Sequence, residues 1–141
     1  MQTTMNSNVL HDCLVGALEG RTSFPETVRR MHAVGVERYR ADLVRLEKSH
    51  YSAAGETHLE KIPLEGVPAI PAELSAPEVQ STLADIQRGA IQYPEFLRRI
   101  MRAGVTEYMV SIAGKRAIYT GRTGDFYVEP FPEPPPGTRN S

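Results

Sequence analysis

Four histidines, one cysteine and two arginine pairs are the side chains of this chain best suited to chemistry, and their spacing decides what they could do together. His50 and His58 flank the turn-like stretch "AAGE" between two segments that alternate like strands. If a two- or four-residue hairpin closes there, Tyr51 faces His58 and His50 faces Leu59, so the histidines fall on opposite sides of the sheet and share no metal ion. A three-residue loop changes that pairing. His11 and Cys13 stand in "HDC", which suggests a nucleophile with its base. Consecutive residues on a helix point about 100° apart, however, and form no hydrogen-bonded dyad. Cys13 lies on an apolar stripe, where a thiol packs as a small hydrophobe. Neither a metal site nor a cofactor is expected.

Arg29-Arg30 and Arg98-Arg99 occupy equivalent places in two similar stretches, with Glu26 and Glu95 three and four residues earlier. That is the spacing of solvent-exposed helix pairs. Should the two arginine pairs converge, they could instead hold an anion bidentately. Tyr39 with Tyr108, and Tyr51 with Tyr119, also recur, either as core and rim residues or as the lining of a ligand cleft. A catalytic reading would use His58 as general acid or base beside Tyr51 and Glu47. No nucleophile elbow, P-loop, dinucleotide fingerprint or metalloprotease helix is present in the sequence.

These residues need a scaffold, and composition allows one. The chain has 141 residues, 40% hydrophobic and 23% charged, as a single folded domain requires. Its net charge of -1 gives no general attraction for nucleic acid or anionic lipid. One cysteine permits no intramolecular disulfide and fits a reducing compartment. "MQTTMNSN" lacks the features of a secretory signal, and no apolar run is long enough for a membrane span, so a cytoplasmic location is expected.

The scaffold is written twice. Phe24 to Leu43 and Tyr93 to Ile112, offset by 69, share seven identities in 20 positions, where chance predicts roughly one. The shared residues include Pro25/Pro94, Gly35/Gly104 and Tyr39/Tyr108, and outside that window Gly20/Gly89 and Leu14/Leu83 keep the register. A one-residue slip continues it through Tyr51/Tyr119, and a second restores Gly55/Gly124, Glu60/Glu129 and Pro63/Pro132. His32, His50 and His58 then align with Met101, Ile118 and Tyr127, so the histidines belong to the first copy alone.

Apolar spacing predicts a helix over Val9 to Ala17 ended by Gly20, and a second from the Ser23–Glu26 capping box to Val34. Alternation then predicts strands over Val36 to Leu43, Lys48 to Ser52 and Thr57 to Ile62. The second copy gives helices at Pro77 to Arg88 and Pro94 to Ala103, with strands at Tyr108 to Ile112, Arg116 to Thr120 and Asp125 to Glu129. The expected fold is α+β: two α-α-β-β-β pseudo-repeats, 7–63 and 76–132, packed as one domain (1–132) with pseudo-twofold symmetry. Between them "PLEGVPAIPAELSAP" (63–76 and onward) reads as an extended crossover. Residues 133–141 read as a disordered, proline-rich tail.

Through "GVERYRADLVRLEKSHY", "GETH" and "YPEFLRRIMRAGV", the chain resembles a bacterial family of small uncharacterised proteins, YbcV-like and YdfO-like, found in prophage contexts and sometimes labelled phage envelope protein. The resemblance covers about Phe24 to Pro132 and implies a compact α+β fold, with no defined activity or catalytic residue to transfer. The functional expectation is therefore a non-catalytic module that binds a small polar ligand or a protein partner, with no nucleic-acid or membrane role. Arg29, Arg30, Arg98, Arg99, Tyr39, Tyr108, Tyr51 and His58 are its candidate residues. A small hydrolase or transferase, and a structural homo-oligomer joined by uncovered strands, are the alternatives.

Overall fold

The computed structural model describes residues 5–131. The first half runs α1 (Ser7–Leu18), α2 (Phe24–Ala33), β1 (Val36–Asp42), β2 (Glu47–Ser52) and β3 (Thr57–Lys61). The second runs α3 (Ala76–Gln87), α4 (Tyr93–Arg102), β4 (Val105–Ser111), β5 (Arg116–Gly121) and β6 (Phe126–Pro130). Every second-half element begins and ends 69 residues after its counterpart.

Local chemistry explains the boundaries. Asn6 Oδ1 accepts from the Asn8 and Val9 amides, and the hydroxyls of Ser23 and Ser75 accept from the Glu26 and Glu78 amides, satisfying donors that a helix start leaves free. Pro25, Pro77 and Pro94 stand in the first turns of α2, α3 and α4, where no amide hydrogen is needed. The first hairpin of each half turns through a left-handed residue that is not glycine, Leu46 at φ 54° and Lys115 at φ 53°. The two chains of turns thus agree even where the backbone is unusual.

The strands form one antiparallel sheet in the order β3-β2-β1-β4-β5-β6. Its centre is the β1–β4 pair, where Arg40 faces Met109, flanked by Tyr39 opposite Val110 and Ala41 opposite Tyr108. Adding 69 to Arg40 gives Met109, and the two flanking pairs exchange places. The halves therefore meet through backbone hydrogen bonds.

One face of this sheet is buried beneath the helices. Tyr39, Ala41, Lys48, His50, Tyr108, Val110, Ala117 and Tyr119 share it. Leu10, Cys13 and Leu14 of α1, Met31 of α2, Val79 and Leu83 of α3, and Leu97, Ile100 and Met101 of α4 complete the core. Cys13 is buried as the apolar stripe predicts. Residues 63–75 contain no regular element, in keeping with their prolines. They cross so closely over the end of α4 that a Cβ on Gly104 would lie 2.3 Å from the Glu73 carbonyl oxygen.

Two sequence readings change. No slip is needed: the register keeps the offset of 69 throughout, which places His50, not Tyr51, at the position of Tyr119. The shared tyrosine drew the comparison one residue aside, whereas cross-strand pairing fixes the true correspondence. Strand β4 also starts at Val105, three residues before the expected Tyr108, because a bulge between Val105 and Glu107 interrupts the alternation. The expectation for residues 133–141 lies outside the described residues.

Candidate functional site

The β2–β3 hairpin has a three-residue loop. The Ser52 amide donates to the Glu56 carbonyl, with Ala53, Ala54 and Gly55 between them and Gly55 at φ 89°. This overturns the two- or four-residue pairing. Tyr51 faces Thr57, and His50 faces His58 on the inner side of the sheet, their ring centroids 5.9 Å apart.

A polar strip results. His11 Nδ1 lies 2.7 Å from Glu60 Oε1, and His58 Nε2 lies 2.5 Å from Glu60 Oε2, so α1 and β3 grip one carboxylate from both sides. Burial pushes the Glu60 carboxyl up, but the hydrogen bonds from His11 and His58 outweigh it and leave the group below its ordinary value. His50 is fully buried; its Nδ1 meets the His58 carbonyl at 3.2 Å, while Nε2 has no partner among the described residues. Burial first, then the charge of Lys48, lowers the His50 pKa to about 4, so the ring is neutral near pH 7. Lys48 is itself buried, and its Nζ sits 5.0 Å from the Tyr39 ring centroid and 4.7 Å from that of Tyr93. The two aromatic faces take the place of a carboxylate around this ammonium.

The second half carries a different strip on the same backbone. Tyr119 and Tyr127 replace His50 and His58, and Ala117 replaces Lys48. Tyr108 stacks on Tyr119 at 5.3 Å and its hydroxyl meets that of Tyr93 at 2.5 Å. Glu129, the counterpart of Glu60, accepts from the Tyr119 hydroxyl and the Gln87 amide. There burial dominates, and the carboxyl is held above its ordinary value. Tyr39, Tyr108 and Tyr119 are all pushed well above the usual phenol range by burial, so they remain protonated at neutral pH.

The other sequence candidates are spread over the molecule. Tyr39 and Tyr108 meet edge to face at 6.4 Å inside the core. Tyr51 alternates onto the outer face, beneath the Arg38 guanidinium at 4.2 Å, with Glu47 on that same outer side of β2. Glu47 is bound by Arg45 and Lys61, whose hydrogen bonds lower its pKa to about 2. His58 therefore does not share a face with Tyr51 or Glu47. Arg30 pairs with Asp12 of α1 at 2.9 Å and Arg99 with Asp85 of α3 at 2.6 Å, each reaching the neighbouring helix instead of the glutamate on its own. Arg98 donates to the Glu65 carbonyl, and Arg29 is exposed beside a cleft. Helices α2 and α4 do not touch, so the two arginine pairs stand apart.

Sequence reasoning missed Lys48, Glu60 and His11 as partners. The alternation of Lys48, His50 and Ser52 places all three on one face, a signal hidden by the habit of reading lysine as outward. His11 and Glu60 meet only through the packing of α1 on β3. Among the described residues no group of three or more His, Cys, Asp and Glu is arranged to hold a metal ion, and no helix is long and apolar enough to cross a membrane.

The outer face of the sheet differs again between halves. Met109, Ile118 and Val128 follow one another across β4, β5 and β6, with Phe126 on the same face at the edge. Their first-half counterparts are Arg40, Ser49, Leu59 and Thr57. Arg40 makes a two-point contact with Glu107, at 3.1 and 3.0 Å.

Residues 14–130 match the model of the family described as Protein of unknown function (DUF1398), and the chain belongs to that family. No curated protein matches it.

Proposed function

We propose that this DUF1398 protein is a non-catalytic protein-interaction module whose outer sheet face over β4–β6 joins a second copy of the chain. One observation carries the reading: Met109, Ile118 and Val128 are in direct register, and Ile118, Val128 and Phe126 are 36%, 40% and 61% exposed. The four helices bury only the opposite face, and a contiguous apolar patch, set beside a first-half outer face on which Leu59 stands among charged and polar neighbours, is what sheet-on-sheet packing covers. Arg40 with Glu107, and Arg38 over Tyr51, supply a polar border.

A twofold arrangement would bring the patch onto itself. The three strands β4–β6, at about 4.8 Å spacing and roughly 17 Å of length, offer about 250 Å² per subunit, and the whole six-stranded face about 500 Å², which places the contact among weak, reversible interfaces. A buried free thiol at Cys13 fits the reducing cytoplasm. Light scattering across a concentration series tests the reading. The apparent mass should rise above 15.6 kDa with concentration for the natural chain and remain at 15.6 kDa for Ile118→Glu. A natural chain that remains monomeric into the millimolar range refutes it.

A second reading, a small hydrolase or transferase, has support from the His58–Glu60 contact, since a carboxylate beside an imidazole orients it for proton transfer. A turnover abolished by His58→Gln in a chain that stays folded would establish it.

A further inference from the structure

In the second half, the stretch leaving Ile62 fills a groove along α4 and the end of β5. Arg98 Nε donates to the Glu65 carbonyl at 2.9 Å and Arg122 Nη1 to the Ile70 carbonyl at 3.1 Å. The Ser75 amide donates to the Ala103 carbonyl at 2.8 Å, while Leu64, Ile70 and Leu74 pack against the core. Moving 69 residues back from Arg98, Gly104 and Arg122 gives Arg29, Gly35 and Ala53. These three line the first-half side of a cleft of about 580 Å³, together with Val28, and Lys115 and Phe131 of the second half close its other side.

The correspondence extends to the chain's exit. Phe131 stands 69 residues after Ile62, and its amide donates to the Lys115 carbonyl as that of Ile62 donates to the Leu46 carbonyl, at 2.9 and 2.8 Å. The first-half cleft is thus the counterpart of a groove that this fold fills with an extended, proline-bearing peptide. Arg29 matches the arginine that takes a peptide carbonyl in the filled groove, and it has no ion-pair partner among the described residues.

We propose that the first-half cleft binds an extended, acidic, proline-containing segment of a partner protein, one of whose backbone carbonyls is taken by Arg29. The charge of the walls sets the acidic preference: Arg29 and Lys115 face a single carboxylate, Glu37. The crossover that fills the sister groove has the same character, since residues 63–75 contain Glu65 and Glu73 and neither Lys nor Arg. Residues 132–141 of this chain match less well. The positions of Leu64 and Ile70 fall there on Glu133 and Arg139.

The test is fluorescence anisotropy of the full chain with a labelled synthetic peptide, PLEGVPAIPAELS, at low salt. Saturable binding is expected, weakened about tenfold in Arg29→Ala, as for loss of a charge-assisted hydrogen bond. Lys115→Glu should weaken it as well, and Arg88→Ala, at the end of α3 and outside the cleft, should leave it unchanged. Binding that does not saturate by millimolar peptide, or that is equal in Arg29→Ala, overturns the proposal. So does binding seen only in a chain shortened to Phe131, which would make the chain's own end the occupant.

Discussion

Glu60 and Glu129 occupy the same place on the third strand of their halves, yet their carboxyls are shifted in opposite directions. Two histidines hold the first, while a phenol and an amide hold the second. The same contrast runs through the inner strip, where His50, His58 and Lys48 stand against Tyr119, Tyr127 and Ala117, and through the outer face, where Arg40 and Ser49 stand against Met109 and Ile118. A backbone plan can be held to the residue while every surface it presents is rewritten. The left-handed glycines stay, Gly20/Gly89, Gly35/Gly104 and Gly55/Gly124, whereas paired strand positions and even the left-handed Leu46 and Lys115 carry different side chains.

The comparison can be sharpened through the cores beneath the two grooves. Leu97 is fully buried under the filled groove, whereas its counterpart Val28 is half-buried beside the open cleft. Leu97→Ala should cost about 2–5 kcal/mol in chemical denaturation and Val28→Ala about 1 kcal/mol. Equal losses would mean that the first-half groove is covered too.

A second contrast is in pH dependence. The buried His50 ring, with Lys48 beside it and His58 opposite, has its pKa held at about 4, below the 6.5 of a free imidazole. The unfolded chain takes up that proton first. Stability is therefore full above about pH 6.5 and declines toward pH 4, by on the order of 2–3 kcal/mol from this residue. Tyr119 contributes nothing in that window. His50→Gln should flatten the decline, and an unchanged slope would remove His50 as its source.

The smallest effect separates the two carboxylates. A depressed Glu60 adds stability above its unfolded pKa that is lost on acidification, whereas a raised Glu129 adds stability at low pH that is lost as it ionises. Near pH 7, Glu60→Gln should destabilise by about 1 kcal/mol, and Glu129→Gln should be neutral or stabilising. Equivalent losses, measured by urea unfolding, would erase the distinction.

The order of elements was readable from sequence because each leaves a local mark: the Ser23–Glu26 spacing, Pro25 and Pro94 in first turns, and the change of period after Gly35. The position of His50 relative to Tyr119 was not, since one matching tyrosine outweighed a register that only strand pairing reveals. Gly55 as the third loop residue is a usable sign of the three-residue turn, which the sequence reading holds open as an alternative. The Glu60 clasp and the open cleft depend on packing between segments about 50 residues or more apart, which no local pattern encodes. Of the candidate residues, Tyr39 and Tyr108 meet, while the arginines disperse because Asp12 and Asp85 lie closer to Arg30 and Arg99 than the two pairs do to each other.

The central claim is that the β1–β4 junction joins the two halves in one interior, so that they unfold together. Differential scanning calorimetry tests it most directly. A single transition, with calorimetric and van't Hoff enthalpies equal, is predicted. Two resolved transitions, with Leu97→Ala moving only one of them, would contradict it.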